Sequence, residues 1–125
     1  MSARWWLIIA VIYVMIGIGV GIFMSSTLQL NWASAHAHVN LVGWASTAIM
    51  GLTYGVFPDA GQNNLGKLHF WSWNIGAPIF LISAFLVQVK GMLDTAHILT
   101  FTGAGLMGLG LIVFLINLFT NVKDD

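Results

Sequence analysis

WWLIIAVIYVMIGIGVGIFM, residues 5–24, is an unbroken run of apolar residues and glycines with no charge and no amide side chain. Crossing about 30 Å of hydrocarbon as a helix takes about twenty such residues. A helix satisfies its own backbone N–H and C=O groups there, where no water is available to do so. The run also exceeds the roughly 7–15 apolar residues of a secretory leader, and no small-x-small cleavage pattern follows it. It therefore reads as a retained membrane span.

Three further runs of the same kind lie at about residues 34–57, 68–89 and 95–119. The breaks between them carry turn chemistry: Ser25-Ser26-Thr27 with Asn31, then Pro58 through Asn64, then Lys90-Gly91. Pro58 is placed to stop the second run, whereas Pro78, inside the third, is expected to bend a helix rather than end it. The expected fold is all-α: one transmembrane domain over residues 1–125, built as an integral membrane four-helix bundle.

Composition agrees. Of 125 residues, 58% are apolar and 6% charged, against about 45–50% and about 25% in soluble domains. So few charges cannot coat a soluble surface, and the lipid bilayer is the expected partner. The net charge is zero with no basic stripe, which argues against nucleic acid. The absence of cysteine excludes disulfides, thiolate metal ligands and thiol catalysis. No glycine-rich phosphate loop followed by lysine and no paired carboxylates are present, so no catalytic residue is assigned.

Lysine and arginine set the orientation. With four spans, Arg4, Lys67 and Lys123 share one side and Lys90 lies alone on the other. Both termini are then expected on the cytoplasmic side of the cell's inner membrane. Trp5, Trp6, Trp71 and Trp73 would form an inner interfacial belt, with Trp32 near the outer boundary.

Histidine carries the chemical signal. His36 and His38 open the second run and His97 opens the fourth, so three of the four histidines converge on the outer leaflet. Ionisable groups at membrane depth face a protein interior or a cavity, and imidazole is the commonest protein ligand for metals. His36, His38 and His97 are thus the candidate metal ligands, with copper or another transition metal as possible guests. Residues two apart on a helix point about 200° apart. Either one of the first pair faces the bundle and the other a neighbouring subunit, or His36 lies in extended chain and both reach one site. Asn40 follows on the His36 face, to hydrogen-bond a ligand or to tie two helices together. His69, amid Trp71 and Trp73 on the inner side, reads as an interfacial residue. The methionines Met24, Met50, Met92 and Met107 read as packing rather than ligation. Gly17/Gly21 and Ala104/Gly108 are small-residue pairs that let helices approach closely. The glycines of the fourth run also leave space for a flat macrocycle below His97.

The stretch Ala35-His36-Ala37-His38-Val39-Asn40-Leu41-Val42-Gly43-Trp44, running on to Tyr54 and Pro58, resembles helix II of the heme-copper oxidase catalytic subunit, above all its nitric-oxide-reductase and C-type branches. Leu68-His69-Phe70-Trp71-Ser72-Trp73-Asn74-Ile75-Gly76 is similar to the opening of helix III. The resemblance covers residues 35–76. It implies that His38 is an axial ligand of a low-spin heme. The family's subunit has many more spans, and the helices that supply its copper ligands, its high-spin heme ligand and the second low-spin ligand have no counterpart here. The family's helices form three pseudo-equivalent arcs, so a chain resembling one arc is expected to assemble as a homotrimer. His97 does not match the missing ligand in sequence but is the candidate to replace it in space, with His36 the substitute for either.

These signals give three expectations. The first is a heme-binding membrane protein with b-type heme near the outer leaflet, for electron transfer with a redox partner or for binding a diatomic gas. The cofactor-binding residues are then His38, His97, His36 and Asn40, and b-type follows from the absence of a Cys-x-x-Cys-His attachment. The second is a histidine-based copper or transition-metal protein, or an oxidase-assembly factor. The third is a structural accessory membrane subunit whose histidines bind nothing.

Overall fold

The computed structural model describes residues 2–122. Lys123, on which the orientation argument partly rests, lies outside the described residues, as do Asp124 and Asp125. The described chain is helical throughout, without strands. Its elements are α1 (Ala3–Thr27), a 3-10 turn (Leu30–Trp32), α2 (Ala33–His38), a π-helical segment (Val39–Ser46), α3 (Thr47–Val56), α4 (Pro58–Gln62), α5 (Asn64–Leu86) and α6 (Leu93–Asn121). All four apolar runs are helical, and two of the helices, α1 and α6, are long and apolar enough to cross a membrane.

Local chemistry sets the boundaries. α1 ends where Leu28 takes a left-handed conformation, φ 56°. Pro58 stands at the first turn of α4, where its missing N–H costs nothing. The Asn63 side chain caps α5 by accepting from the Gly66 N–H at 2.8 Å. α5 runs through Pro78 without a break. Gly91, at φ 81°, makes the turn into α6, a conformation that only glycine adopts without strain.

The second run is not a uniform α-helix. Immediately after His38 the backbone widens into the π segment. Side chains close that wider repeat: the Ser46 hydroxyl donates to the Leu41 carbonyl (2.8 Å) and the Thr47 hydroxyl to the Val42 carbonyl (3.2 Å), each five residues back. Gly43 lies within it because the Tyr13 ring packs there, 2.7 Å from where a Cβ would sit.

α1 packs along α2, the π segment and α3, while α5 packs along α6. Aromatic residues join the two pairs. Trp6 of α1 is fully buried, with ring centroids 4.8 Å from His69, 5.3 Å from Phe70 and 5.7 Å from Tyr54. It fits because Gly51 opposite it has no side chain: a Cβ there would lie 2.6 Å from Trp6 Cβ. The Trp73 indole N–H donates to Thr47 Oγ1 at 2.9 Å. Trp6 and Trp73 are therefore core residues, which corrects the belt expectation for them; Trp5 and Trp71 are exposed. The outward faces of α1 and α6 are apolar, with Met15, Ile22, Phe101 and Phe119 among the most exposed. A surface of this kind suits an apolar surrounding.

Glycines place the helix contacts, but not all where the small-residue spacing suggests. Gly17 and Gly21 of α1 serve as expected, receiving the Asn40 side chain and the His36 ring. The Ala104/Gly108 pair does not: Ala104 is exposed and Gly108 faces open space. Instead α5 and α6 cross at Gly76 and Gly103, whose backbones nearly touch.

Candidate functional site

The two histidines of α2 lie on different faces of that helix. Both histidines lie within helical turns, so the extended-chain alternative does not hold. The His36 ring turns to α1, with Cε1 3.1 Å from where a Gly21 Cβ would be. The His38 ring turns to α5, its centroid 5.6 Å from that of Phe80. The two rings serve different surroundings, as their spacing on a helix requires.

The nitrogens of the two rings are also used differently. His38 Nδ1 lies 2.7 Å from the Ser34 carbonyl oxygen. A carbonyl can only accept, so His38 carries its proton on Nδ1 and donates it there. That leaves a lone pair on Nε2, which has no partner among the described residues. In metal sites a ligating histidine characteristically donates its other nitrogen's proton to such an acceptor, which fixes the ring and raises its basicity. His36 has no such arrangement. Its Nδ1 lies 3.4 Å from Asn40 Nδ2, and that amide donates to the His36 carbonyl at 2.9 Å. Asn40 thus ties α2 to the π segment and to α1 through Gly17.

His97 stands apart. It is exposed at the start of α6, a helix that packs on α5 and α4 rather than on α2. Among the described residues no three histidine or acidic side chains are grouped to hold a metal ion. The set His36, His38 and His97 is therefore not assembled as a metal site within one chain. An apolar groove of about 470 Å³ does open at this end, lined by Ile16, Gly19, Val20, Phe23, Trp32 and Phe85. None of the three histidines lines it.

A second polar cluster lies in the core. His69, read from sequence as an interfacial residue, is fully buried. Its Nδ1 is 2.7 Å from the Tyr54 hydroxyl. Asn117, also fully buried, donates to the Ala60 carbonyl at 2.8 Å and lies 3.5 Å from the same hydroxyl. Its own oxygen accepts from the Asn63 and Asn121 amides, both at 2.9 Å. Around His69 stand Trp6 and, stacked at 4.7 Å with an interplanar angle of 26°, Phe114. His69 Nε2 is buried without a hydrogen-bond partner. A cleft of about 200 Å³ lined by Ser2, Ala3, Tyr54, Gly55, Pro58 and Gln62 reaches the tyrosine. The signal for this cluster is present in the sequence. Tyr54 lies near the end of the second apolar run, His69 at the start of the third and Asn117 near the end of the fourth, so all three belong to the same end of the helices.

No family model, curated protein or solved structure matches this chain.

Proposed function

We propose that this chain is an integral membrane protein that crosses the bilayer four times and holds b-type heme near the outer leaflet through His38, as the resemblance to the heme-copper oxidase catalytic subunit implies. Both termini lie on the cytoplasmic side of the inner membrane. The observation that supports the heme reading best is the His38 ring itself: Nδ1 held by the Ser34 carbonyl and Nε2 free. That is the ligand geometry an axial histidine needs. The π segment begins at the next residue, and such departures from the α repeat occur often at functional sites.

The residues present fit one side of a heme. His38 Nε2 supplies a ligand, Phe80 buttresses the ring and Ser34 fixes its tautomer. The second ligand does not come from the same bundle face, since His97 is exposed on a helix that does not pack on α2. A homotrimer supplies it from a neighbouring copy, with the exposed α1 and α6 faces as the surfaces that meet. Two histidine ligands favour electron transfer with a redox partner, and one open position favours a diatomic gas.

The test is heme retention in two variants. His38→Ala is expected to lower the heme-to-protein ratio of the purified chain at least about tenfold. His97→Ala is expected to retain heme but to convert a low-spin spectrum to a high-spin one that binds carbon monoxide. Full heme content in His38→Ala would overturn the ligand assignment. A monomer as the only species in native mass spectra from mild detergent would overturn the trimer. A colourless protein carrying stoichiometric copper would replace heme with the metal-only reading.

A further inference from the structure

The Tyr54–His69 pair has a directionality that follows from its neighbours. Asn117 Nδ2 points at the Ala60 carbonyl, and Asn117 Oδ1 accepts from two amides, so the amide orientation is fixed by the network. The nitrogen that approaches the Tyr54 oxygen is therefore a donor. The phenolic proton is left with one acceptor among the described residues, His69 Nδ1 at 2.7 Å. His69 in turn carries its own proton on Nε2, which is buried without a hydrogen-bond partner. The pair is a phenol hydrogen-bonded to a neutral imidazole base, with His69 fully buried and Tyr54 nearly so, touching only the edge of a small cleft.

A phenol in an apolar core resists losing an electron, because the cation that results is strongly acidic and has nowhere to send its proton. A base on the hydrogen bond removes that obstacle. We propose that Tyr54 and His69 form a proton-coupled redox pair, a site separate from the outer histidines. An external one-electron oxidant, of the class of ruthenium(III) polypyridyl complexes, takes one electron from Tyr54. The O–H bond breaks and its proton forms an N–H bond at His69 Nδ1. A neutral tyrosyl radical and an imidazolium remain, and the oxidant is reduced by one electron. The single positive charge then sits on His69, stacked on Phe114 at 4.7 Å and 4.8 Å from the tilted Trp6 ring, where ring quadrupoles stabilise a cation.

The same rings connect the pair to the surface. Trp6 is 5.7 Å from Tyr54, Phe70 is 5.3 Å from Trp6, and Trp71 is 5.4 Å from Phe70. Trp71 is exposed on α5. An electron can therefore leave the core through ring contacts to an oxidant that never enters it. The inference does not depend on heme, because the oxidant is supplied from outside, and either reading can fail alone.

The chain contains two tyrosines, so the experiment uses the full-length Tyr13→Phe protein in detergent. It is flash-oxidised with a photogenerated ruthenium(III) complex and freeze-quenched for electron paramagnetic resonance. The expected result is a neutral tyrosyl signal with a hyperfine coupling to an exchangeable proton, lost after transfer to deuterium oxide. Tyr54→Phe in the same background abolishes the signal, and His69→Gln lowers its yield and removes the coupling. A tryptophanyl radical in place of the tyrosyl would overturn the proposal. So would a tyrosyl signal without an exchangeable coupling, a reading that needs no further variant to fold.

Discussion

Replacing Gly103 by alanine forces α5 and α6 apart and lowers stability by about 2–3 kcal/mol. The added Cβ would lie 2.5 Å from the Phe80 amide nitrogen and 2.8 Å from both the Gly76 carbonyl oxygen and Phe80 Cα. These are backbone atoms of the facing helix, which no rotamer change can move away. The reverse substitution, Gly76→Ala, meets the Gly103 carbonyl oxygen at 2.8 Å and is expected to cost a similar amount. Gly105 and Gly108, on the same helix, face open space. Alanine there is expected to be neutral or to stabilise by up to about 1 kcal/mol, as alanine does in a helix interior. Unfolding in mixed micelles by titration with sodium dodecyl sulfate, followed by tryptophan fluorescence, checks the contrast. Equal effects at positions 103 and 105 would contradict the crossing point.

The second large effect is expected from Asn117→Leu. Asn117 is fully buried on α6 and meets the Ala60 carbonyl of α4, the amide of Asn63 ahead of α5 and the Tyr54 hydroxyl of α3. A buried polar group left without its partner costs about 1–3 kcal/mol. Interhelical hydrogen bonds in membranes average only about 0.6 kcal/mol, because the reference state finds other partners. With several groups stranded at once, a loss of about 2 kcal/mol is the expected outcome in the same titration. Asn121→Ala removes one exposed donor to the same oxygen and is expected to change little. A loss in Asn121→Ala as large as in Asn117→Leu would show that the cluster does not act from the core.

How much of this was legible in the sequence follows from what each feature depends on. The helices depend on apolar length and turn residues, so residues 5–24 read as a span in the sequence and lie within α1. The Gly17/Gly21 pair was legible from spacing alone. The π segment was not: the Ser46 and Thr47 hydroxyls that bond five residues back accompany it, but serine and threonine serve other roles at such positions. Whether a tryptophan joins a belt or a core depends on the partner helix. Trp5 and Trp6 are neighbours in sequence, yet one is half exposed and the other fully buried opposite Gly51. Position along the apolar runs gives the height of His36, His38 and His97 but not their azimuth. Azimuth separates His36 from His38 and leaves His97 on a helix that does not pack on α2. The aromatic neighbours of His69 in sequence suggest an interface, whereas Tyr54 and Asn117, far from it in sequence, decide its environment. Such partners are visible only once the helices are docked.

Heme binding is tested most directly by the absorption spectrum of the wild-type chain, purified in mild detergent from heme-replete cells, first oxidised and then reduced with dithionite. Heme held by His38 gives a Soret band and, on reduction, the sharp α and β bands of a low-spin b-type heme. A colourless protein under those conditions would contradict heme binding.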